Sequence, residues 1–179
     1  MTTYIALLRA INLGKYNKVK MADLRSLLES LGLENVQTYI QSGNVIFDST
    51  LNNEQLQKKL EEKMEAKFGF PIPVMLRTVS EFEEIVQKCP YESAKLLEGE
   101  SVHVAFLSGL PLQEKINALT SYTNEVDEYQ IKGTEIYIYF RQNLHKSKLP
   151  AQLKKLDVSA TLRNWKTVMK LVSMGESRK

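Results

Sequence analysis

Two short polar segments of the sequence carry side chains that could bind an anion. The segments are residues 9–18 and residues 41–44. Their candidate ligand-binding side chains are Arg9, Asn12, Asn17, Lys18, Gln41, Ser42 and Asn44. The guanidinium, ammonium and amide groups are hydrogen-bond donors, and neither segment contains a carboxylate. This chemistry suits a phosphate or carboxylate ligand and is poor for a metal ion.

Some of these side chains also have a structural alternative. Amide and hydroxyl side chains often hydrogen-bond the backbone of their own turn. Gln41, Ser42 and Asn44 could therefore each serve the turn alone. For Arg9 and Lys18 we favour the binding role.

The second segment is predicted to be the tip of a β-hairpin within Thr38–Asp48. Ser42-Gly43 is a candidate two-residue turn, because glycine supplies the positive φ that a tight hairpin needs. This register pairs Ile40 with Val45 and places the apolar side chains on one face of the hairpin. The other face offers few aromatic side chains, so the stacking of RNA bases on an open sheet is disfavoured.

The first half of the chain has the element order strand, helix, strand, strand, helix, strand. This order is the ferredoxin-like split βαβ arrangement, for which we expect the sheet order 4-1-3-2. The end of the first strand then lies at the same edge as the hairpin tip, so the two polar segments should be neighbours. The predicted elements are a strand at Thr3–Arg9, a helix at Met21–Leu31, the hairpin, a helix capped by Asn52 or Asn53, and a strand at Ile72–Arg77.

The second half repeats strand, helix, strand, strand, helix, but without an obvious fourth strand. We therefore predict an α+β fold with two ferredoxin-like subdomains, residues 1–78 and 79–179, the second incomplete and followed by a C-terminal helix. The predicted elements are a linking helix with a capping box at Ser80–Glu83, strands at Ser101–Leu107, Glu125–Ile131 and Glu135–Arg141, and helices beginning at Pro111, Ser147 and Thr161.

Positive charge is concentrated at the two ends of the chain. Residues 1–25 contain five Lys or Arg and one acid, and residues 141–179 contain ten against two. If the ends meet, they form a surface that attracts anions; the alternative is solvated helix faces. Arg163 is predicted in the first turn of the last helix, where a cation opposes the helix dipole. It should therefore have a partner, either a bound anion or an acidic strand residue.

Several classes of site are not indicated. The only cysteine, Cys89, cannot form an internal disulfide, and no apolar run has membrane-spanning length, so we predict a cytoplasmic protein without a membrane partner. His103 and His145 make no metal-binding spacing with Cys89, and nucleotide-binding and metalloprotease motifs are absent from the sequence. The sequence predicts no metal and no cofactor.

Several motifs resemble those of the domain-of-unknown-function 1697 family of bacterial proteins. They are Ala6–Gly14, Asn17-Lys18, Met21, Thr38–Asn44, and the closing motifs Ser147–Leu149 and Thr161–Thr167. The closing motifs contain Lys148 and Arg163, which complete the candidate ligand-binding residues. The family often has glycine where Ala10 and Lys15 stand here. The resemblance implies two ferredoxin-like subdomains and no established activity.

Three functions are compatible with the sequence. The first is a non-catalytic module that binds a phosphate-bearing small molecule or a polyanion, such as a nucleic acid backbone, through a basic rim. The second is an enzyme that binds a phosphorylated or carboxylated metabolite between the subdomains, with Arg9, Lys18 and Arg163 as the clamp. The third is a protein-interaction module that uses an exposed sheet edge. The oligomeric state is left open.

Overall fold

The computed structural model describes residues 1–121 and 126–179. Within these residues the protein is a mixed α and β structure with two four-stranded antiparallel sheets and six α-helices. The backbone divides into two compact units. Unit 1 contains Met1–Glu84 and Lys170–Lys179, and unit 2 contains Ile85–Met169. No helix of the described residues is long and apolar enough to cross a membrane.

The sheet of unit 1 has the strand order β2-β3-β1-β4, which is the predicted order 4-1-3-2. Its strands are β1 (Thr2–Leu8), β2 (Glu34–Tyr39), β3 (Asn44–Ser49) and β4 (Val74–Thr78). The central strands β1 and β3 are buried on both faces over Tyr4–Leu8 and Val45–Phe47. The continuous apolar run of β1 predicts this central position, because a strand covered on both faces does not alternate.

Helices α1 (Met21–Ser30) and α2 (Asn53–Phe68) pack on one face of this sheet. Their buried leucines recur at helical spacing, so each helix turns one apolar stripe toward the core. The predicted cap of α2 is confirmed. The Asn52 side chain accepts a hydrogen bond from the Gln55 amide at 2.9 Å, and the Gln55 side chain accepts one from the Asn52 amide.

The hairpin forms, but its predicted register is wrong by two residues. Tyr39 pairs with Asn44, and the loop is Ile40–Gly43 rather than a two-residue turn. Ile40 therefore leaves the strand with φ 49° and is 49% exposed, instead of packing beside Val45. The reason is tertiary. The Leu8 amide donates to the Gly43 carbonyl at 2.8 Å, which ties the end of the loop to β1.

Helix α3 (Val79–Gln87) follows β4 directly. The capping box predicted at Ser80–Glu83 lies two residues earlier. The Glu81 amide donates to the Thr78 hydroxyl at 3.1 Å, and the Glu81 carboxylate accepts from the Thr78 amide at 2.7 Å. Thr78 thus ends the strand and begins the helix.

The sheet of unit 2 is complete, so the predicted absence of a fourth strand is wrong. Its order is β6-β7-β5-β8. The strands are β5 (Ser101–Leu107), β6 (Glu128–Lys132), β7 (Glu135–Phe140) and β8 (Ala160–Asn164). The first residue predicted for β6, Glu125, lies outside the described residues. Helices α4 (Gln113–Thr120) and α5 (Leu149–Gln152), with the 3-10 turn Leu153–Leu156, contribute leucines to a core against β5 and β7.

The last helix, α6 (Trp165–Glu176), begins four residues after the predicted cap Thr161. Thr161 lies in β8, and the Asn164 side chain instead accepts a hydrogen bond from the Thr167 amide at 2.9 Å. The strand was missed because Leu162 is its only large apolar side chain, so the segment shows no clear strand pattern before the helix begins.

Hydrogen bonds occur at corresponding positions within each of the two sheets. In unit 1 the Leu8 amide donates to Gly43 in the β2–β3 loop at 2.8 Å, and in unit 2 the Leu107 amide donates to Thr134 in the β6–β7 loop at 2.9 Å. In the next position, the Arg9 amide donates to the Pro73 carbonyl at 3.0 Å, before β4. The corresponding bond in unit 2 joins Ser108 to Ser159, before β8, at 2.9 Å.

The strands β4 and β8 also correspond. Arg77 and Arg163 both donate to the carbonyl of the preceding leucine, at 2.8 and 3.1 Å. In each strand the next residue, Thr78 or Asn164, caps the helix that follows. The two units thus share strand order, register and the junction between the fourth strand and its helix.

Candidate functional site

The polar segment after β1 folds into a compact turn, which we call the basic loop (Arg9–Lys20). Two backbone hydrogen bonds close it. The Asn12 amide donates to the Asn17 carbonyl at 2.9 Å, and the Tyr16 amide donates to the Leu13 carbonyl at 3.0 Å. The loop is therefore a small hairpin with a defined conformation.

Asn12 joins the basic loop to the hairpin tip (Ile40–Gly43). Its side-chain amide donates to the Val19 carbonyl at 3.0 Å and to the Gln41 carbonyl at 2.8 Å. Its side-chain oxygen accepts from the Val19 amide at 2.9 Å. The Asn17 side chain donates to the Ala10 carbonyl at 3.1 Å. The structure thus brings the two polar segments together, as the sheet order predicted, and these two asparagine amides hold the backbone.

Asn44 supports the hairpin tip from inside. It is fully buried, and its side chain donates to the Tyr39 carbonyl and to the Ser42 hydroxyl, each at 3.0 Å. Gly43 packs against the start of the basic loop, since a Cβ added there would lie 2.7 Å from the Leu8 Cβ and 2.9 Å from the Ile11 Cδ1. The contacts of Asn44 correspond to the turn role that the sequence left open, and they leave its role in binding a prediction.

Several non-glycine residues here adopt left-handed backbone conformations. Ala10, Asn12 and Asn17 have φ values of 58°, 53° and 53°, and Ile40 has 49°. Asparagine adopts this region more readily than other L-residues, so the strain falls on Ala10, at roughly 1–2 kcal/mol, and on the β-branched Ile40, for which the region is an outlier. Such strain persists where the surroundings over-determine the backbone, and it clusters at functional sites. The positive φ of Ala10 is a conformation that glycine would adopt without strain.

Positive charge on the basic loop is not neutralised locally. Lys15, Lys18 and Lys20 are exposed, and Arg9 is partly exposed. Over residues 1–121 and 126–179, none of these four cations forms an ion pair with a carboxylate. Gln41 and Ser42 are exposed at the adjacent hairpin tip. The surface therefore presents cations and polar groups on a backbone that is held by hydrogen bonds.

Two exposed apolar residues of the basic loop were missed by the sequence analysis. Tyr16 is 77% exposed and Leu13 is 58% exposed. They form an isolated β-bridge with each other across the turn. The available signal was an aromatic residue between Lys15 and Lys18 in a loop that has no other aromatic residue.

The two remaining candidates, Lys148 and Arg163, lie in unit 2. Lys148 is exposed at the start of α5. Arg163 is 7% exposed in β8, not in the first turn of α6, so the helix-dipole reasoning about it was wrong. Its guanidinium donates to the Thr161 hydroxyl at 2.7 Å and to the Leu162 carbonyl at 3.1 Å. Burial lowers the pKa of Arg163 to about 10, so it stays protonated at neutral pH.

Burial shifts the pKa values of two side chains of unit 2, Cys89 and His103. Burial raises the pKa of the Cys89 thiol, which disfavours the nucleophilic thiolate. His103 is buried against the edge of Phe140, with ring centroids 5.2 Å apart, and burial lowers its pKa to about 4. In the described part of the chain, no group of three or more His, Cys, Asp or Glu side chains could hold a metal ion.

Comparison with known proteins places the chain in a family. A family model described as a protein of unknown function (DUF1697) matches residues 1–137. The conserved bacterial protein SP0830 from Streptococcus pneumoniae is 29% identical, with a TM-score of 0.80 over 97% of this chain and 98% of that chain. An unknown protein from Galdieria sulphuraria, 10% identical over 91% of this chain and 97% of that one, has a TM-score of 0.25, too low to support an argument. No curated protein matches. Because the family model covers well over half of the sequence, the chain belongs to the DUF1697 family of proteins of unknown function.

Proposed function

We propose that the basic loop and the hairpin tip form a non-catalytic binding site for a phosphate-bearing or polyanionic ligand. The observation that carries this proposal is a group of cations without carboxylate partners in the described residues, on a backbone already held by hydrogen bonds. Arg9, Lys15 and Lys18 are the principal donors. A preorganised loop loses little conformational entropy on binding, so more of the electrostatic attraction appears as affinity.

The composition of the site supports binding rather than catalysis. The basic loop contains no Asp, Glu, His or Cys, and the hairpin tip contributes only the Ser42 hydroxyl as a possible nucleophile. A serine needs an adjacent base to become reactive. Guanidinium and ammonium groups bind anions without such a partner.

One observation argues against the β2 edge of the unit 1 sheet as a protein-docking site. Arg178 donates to the Asn35 carbonyl on the edge strand β2 and to the Gln37 side chain, and it pairs with Asp48 at 3.5 Å. Burial raises the pKa of Asp48, but hydrogen bonds from Thr3 and Asn35 and the charge of Arg178 outweigh it, so the pKa lies below its usual value. A charged side chain that occupies an edge carbonyl blunts strand addition.

We also propose the finer architecture and the cellular location of the protein. The sheet order and the shared hydrogen bonds support two ferredoxin-like subdomains, for which we keep the predicted ranges 1–78 and 79–179. Lys148 and Arg163 are not required by the proposed site, and their part in ligand binding stays a prediction. The cytoplasmic location also stays a prediction.

The proposal is tested by titrating the protein with a short inorganic polyphosphate at low and moderate salt. The variants are Arg9→Ala and Lys18→Ala, and the control is Lys63→Ala, which removes one exposed charge from α2. Loss of one charge-assisted contact should weaken binding about tenfold, whereas Lys63→Ala should change it little. No binding at low salt, or equal losses in all three variants, would reject a localised site.

A further inference from the structure

Tyr16 is the largest exposed side chain of the basic loop, and polyanion binding alone gives it no role. Tyr16 is 77% exposed and lies between Lys15 and Lys18 in the sequence. Proteins that bind single-stranded nucleic acids combine aromatic side chains with cations. The unpaired bases stack on the rings, and the cations contact the phosphates.

We propose that the ligand of the basic loop is a single-stranded nucleic acid, one base of which stacks on Tyr16 while Lys15 and Lys18 contact the flanking phosphates. This inference rests on the proposed anion-binding function of the same loop. It goes further by naming the class of ligand and the side chain that distinguishes it from other polyanions.

Hydrogen bonds of the loop backbone fix the position from which the Tyr16 side chain projects. The Tyr16 amide donates to the Leu13 carbonyl, and the Asn12 amide donates to the Asn17 carbonyl, so Tyr16 lies between two hydrogen-bonded closures of the turn. Lys15 is its chain neighbour and Lys18 is two residues away, with consecutive Cα atoms about 3.8 Å apart. Both ammonium groups can therefore reach phosphates next to a stacked base.

The sheet of unit 1 does not offer an alternative stacking surface on its central strands. Tyr4–Leu8 of β1 and Val45–Phe47 of β3 are buried on both faces. RNA-binding sheets of the RRM type expose aromatic side chains on their sheet surface, where two or three bases stack. In unit 1, the exposed ring beside cations is found on the loop instead.

The ligands for the test are a labelled oligothymidylate, an abasic strand of equal length, an oligouridylate and a DNA duplex. The abasic strand keeps the phosphates and lacks the bases, so it isolates the stacking contribution. We expect the single strands to bind more tightly than the abasic strand and the duplex. The comparison of oligothymidylate with oligouridylate identifies DNA or RNA as the preferred source of the ligand.

The variants are Tyr16→Ala and Tyr16→Phe, with thermal unfolding as the control for folding. Tyr16→Ala should weaken binding of the single strand by roughly 5- to 100-fold. Its affinity for the abasic strand should equal that of the wild type. Tyr16→Phe keeps the ring and should bind nearly as the wild type does.

The outcomes separate this inference from the proposed function. If the abasic strand binds as tightly as oligothymidylate, or if Tyr16→Ala weakens both strands equally, base stacking is overturned while polyphosphate binding stands. If neither the strands nor polyphosphate bind at low salt, both proposals fail.

Discussion

Protonation of His103 should make the protein less stable in mild acid. The imidazole lies in β5 with 8% exposure, and its Nδ1 has no hydrogen-bond partner among the described residues. Taking a proton would place a charge in an apolar site next to Phe140. Burial therefore lowers the pKa of His103 from 6.5 to about 4.

The size of the effect follows from this difference in pKa. In the unfolded chain His103 binds its proton below pH 6.5, whereas in the folded protein it does so only near pH 4. Between these values the unfolded state binds more protons, so the free energy of unfolding falls as the pH falls. The full loss is about 3 kcal/mol, and by pH 5 it has reached about 2 kcal/mol.

Urea unfolding at pH 7.5 and pH 5 measures this loss. His103→Leu removes the titrating group and keeps an apolar side chain, so its free energy of unfolding should lose about 2 kcal/mol less than the wild type between the two pH values. His145→Gln is the matched control, because His145 is exposed and is the only other histidine. Its pH dependence should follow that of the wild type.

An NMR titration provides a direct check. The His145→Gln variant retains His103 as its only histidine, so one imidazole signal remains. This signal should stay that of the neutral ring down to about pH 5. A signal that titrates near pH 6.5 in the folded protein, or a His103→Leu variant with the same loss of stability as the wild type, would refute the reasoning.

Two glycines should not tolerate alanine. Gly43→Ala should destabilise unit 1 by roughly 2–4 kcal/mol in urea unfolding, because φ is +91° and the new Cβ would meet Leu8 at 2.7 Å. Gly32→Ala, with φ +85° and no atom within 4 Å of the new Cβ, is the control that carries the strain without the clash, and an equal loss would contradict the role of packing. Gly175→Ala should destabilise by roughly 1–2 kcal/mol, although helix propensity alone would stabilise it by about 1 kcal/mol, since its Cβ would lie 2.7 Å from the Val79 methyl groups. Adding Val79→Ala should reduce this clash, and a stabilised Gly175→Ala single variant would contradict it.

Residue types and element order predicted part of the candidate site. The loop cations and their position next to the hairpin tip follow from composition and sheet order. Residue types do not reveal how each amide is used. The Asn12 and Asn44 side chains donate hydrogen bonds to the carbonyls of Val19 and Tyr39. These contacts can be known only from the positions of the two carbonyls in space. The exposure of Tyr16 likewise depends on the direction in which the closed turn faces.

The sequence by itself determined the elements with strong local signals. The apolar run of β1, the leucine stripes of α1 and α2, and the Asn52 cap depend on neighbours a few residues away, so periodicity and capping rules find them. Even β8 left a local trace, because Leu76-Arg77-Thr78 before α3 is matched by Leu162-Arg163-Asn164 before α6.

Only the tertiary structure decided the register of the hairpin and the place of Arg163 in a strand. The Gly43 carbonyl accepts a hydrogen bond from the Leu8 amide on β1, a contact between residues 35 positions apart. Ile40 then lies outside the strand. Arg163 pairs with Val104 in β5, so a polar five-residue segment becomes a strand rather than the start of a helix. In both cases the free energy comes from pairing with a distant strand, which outweighs the local preference of the segment.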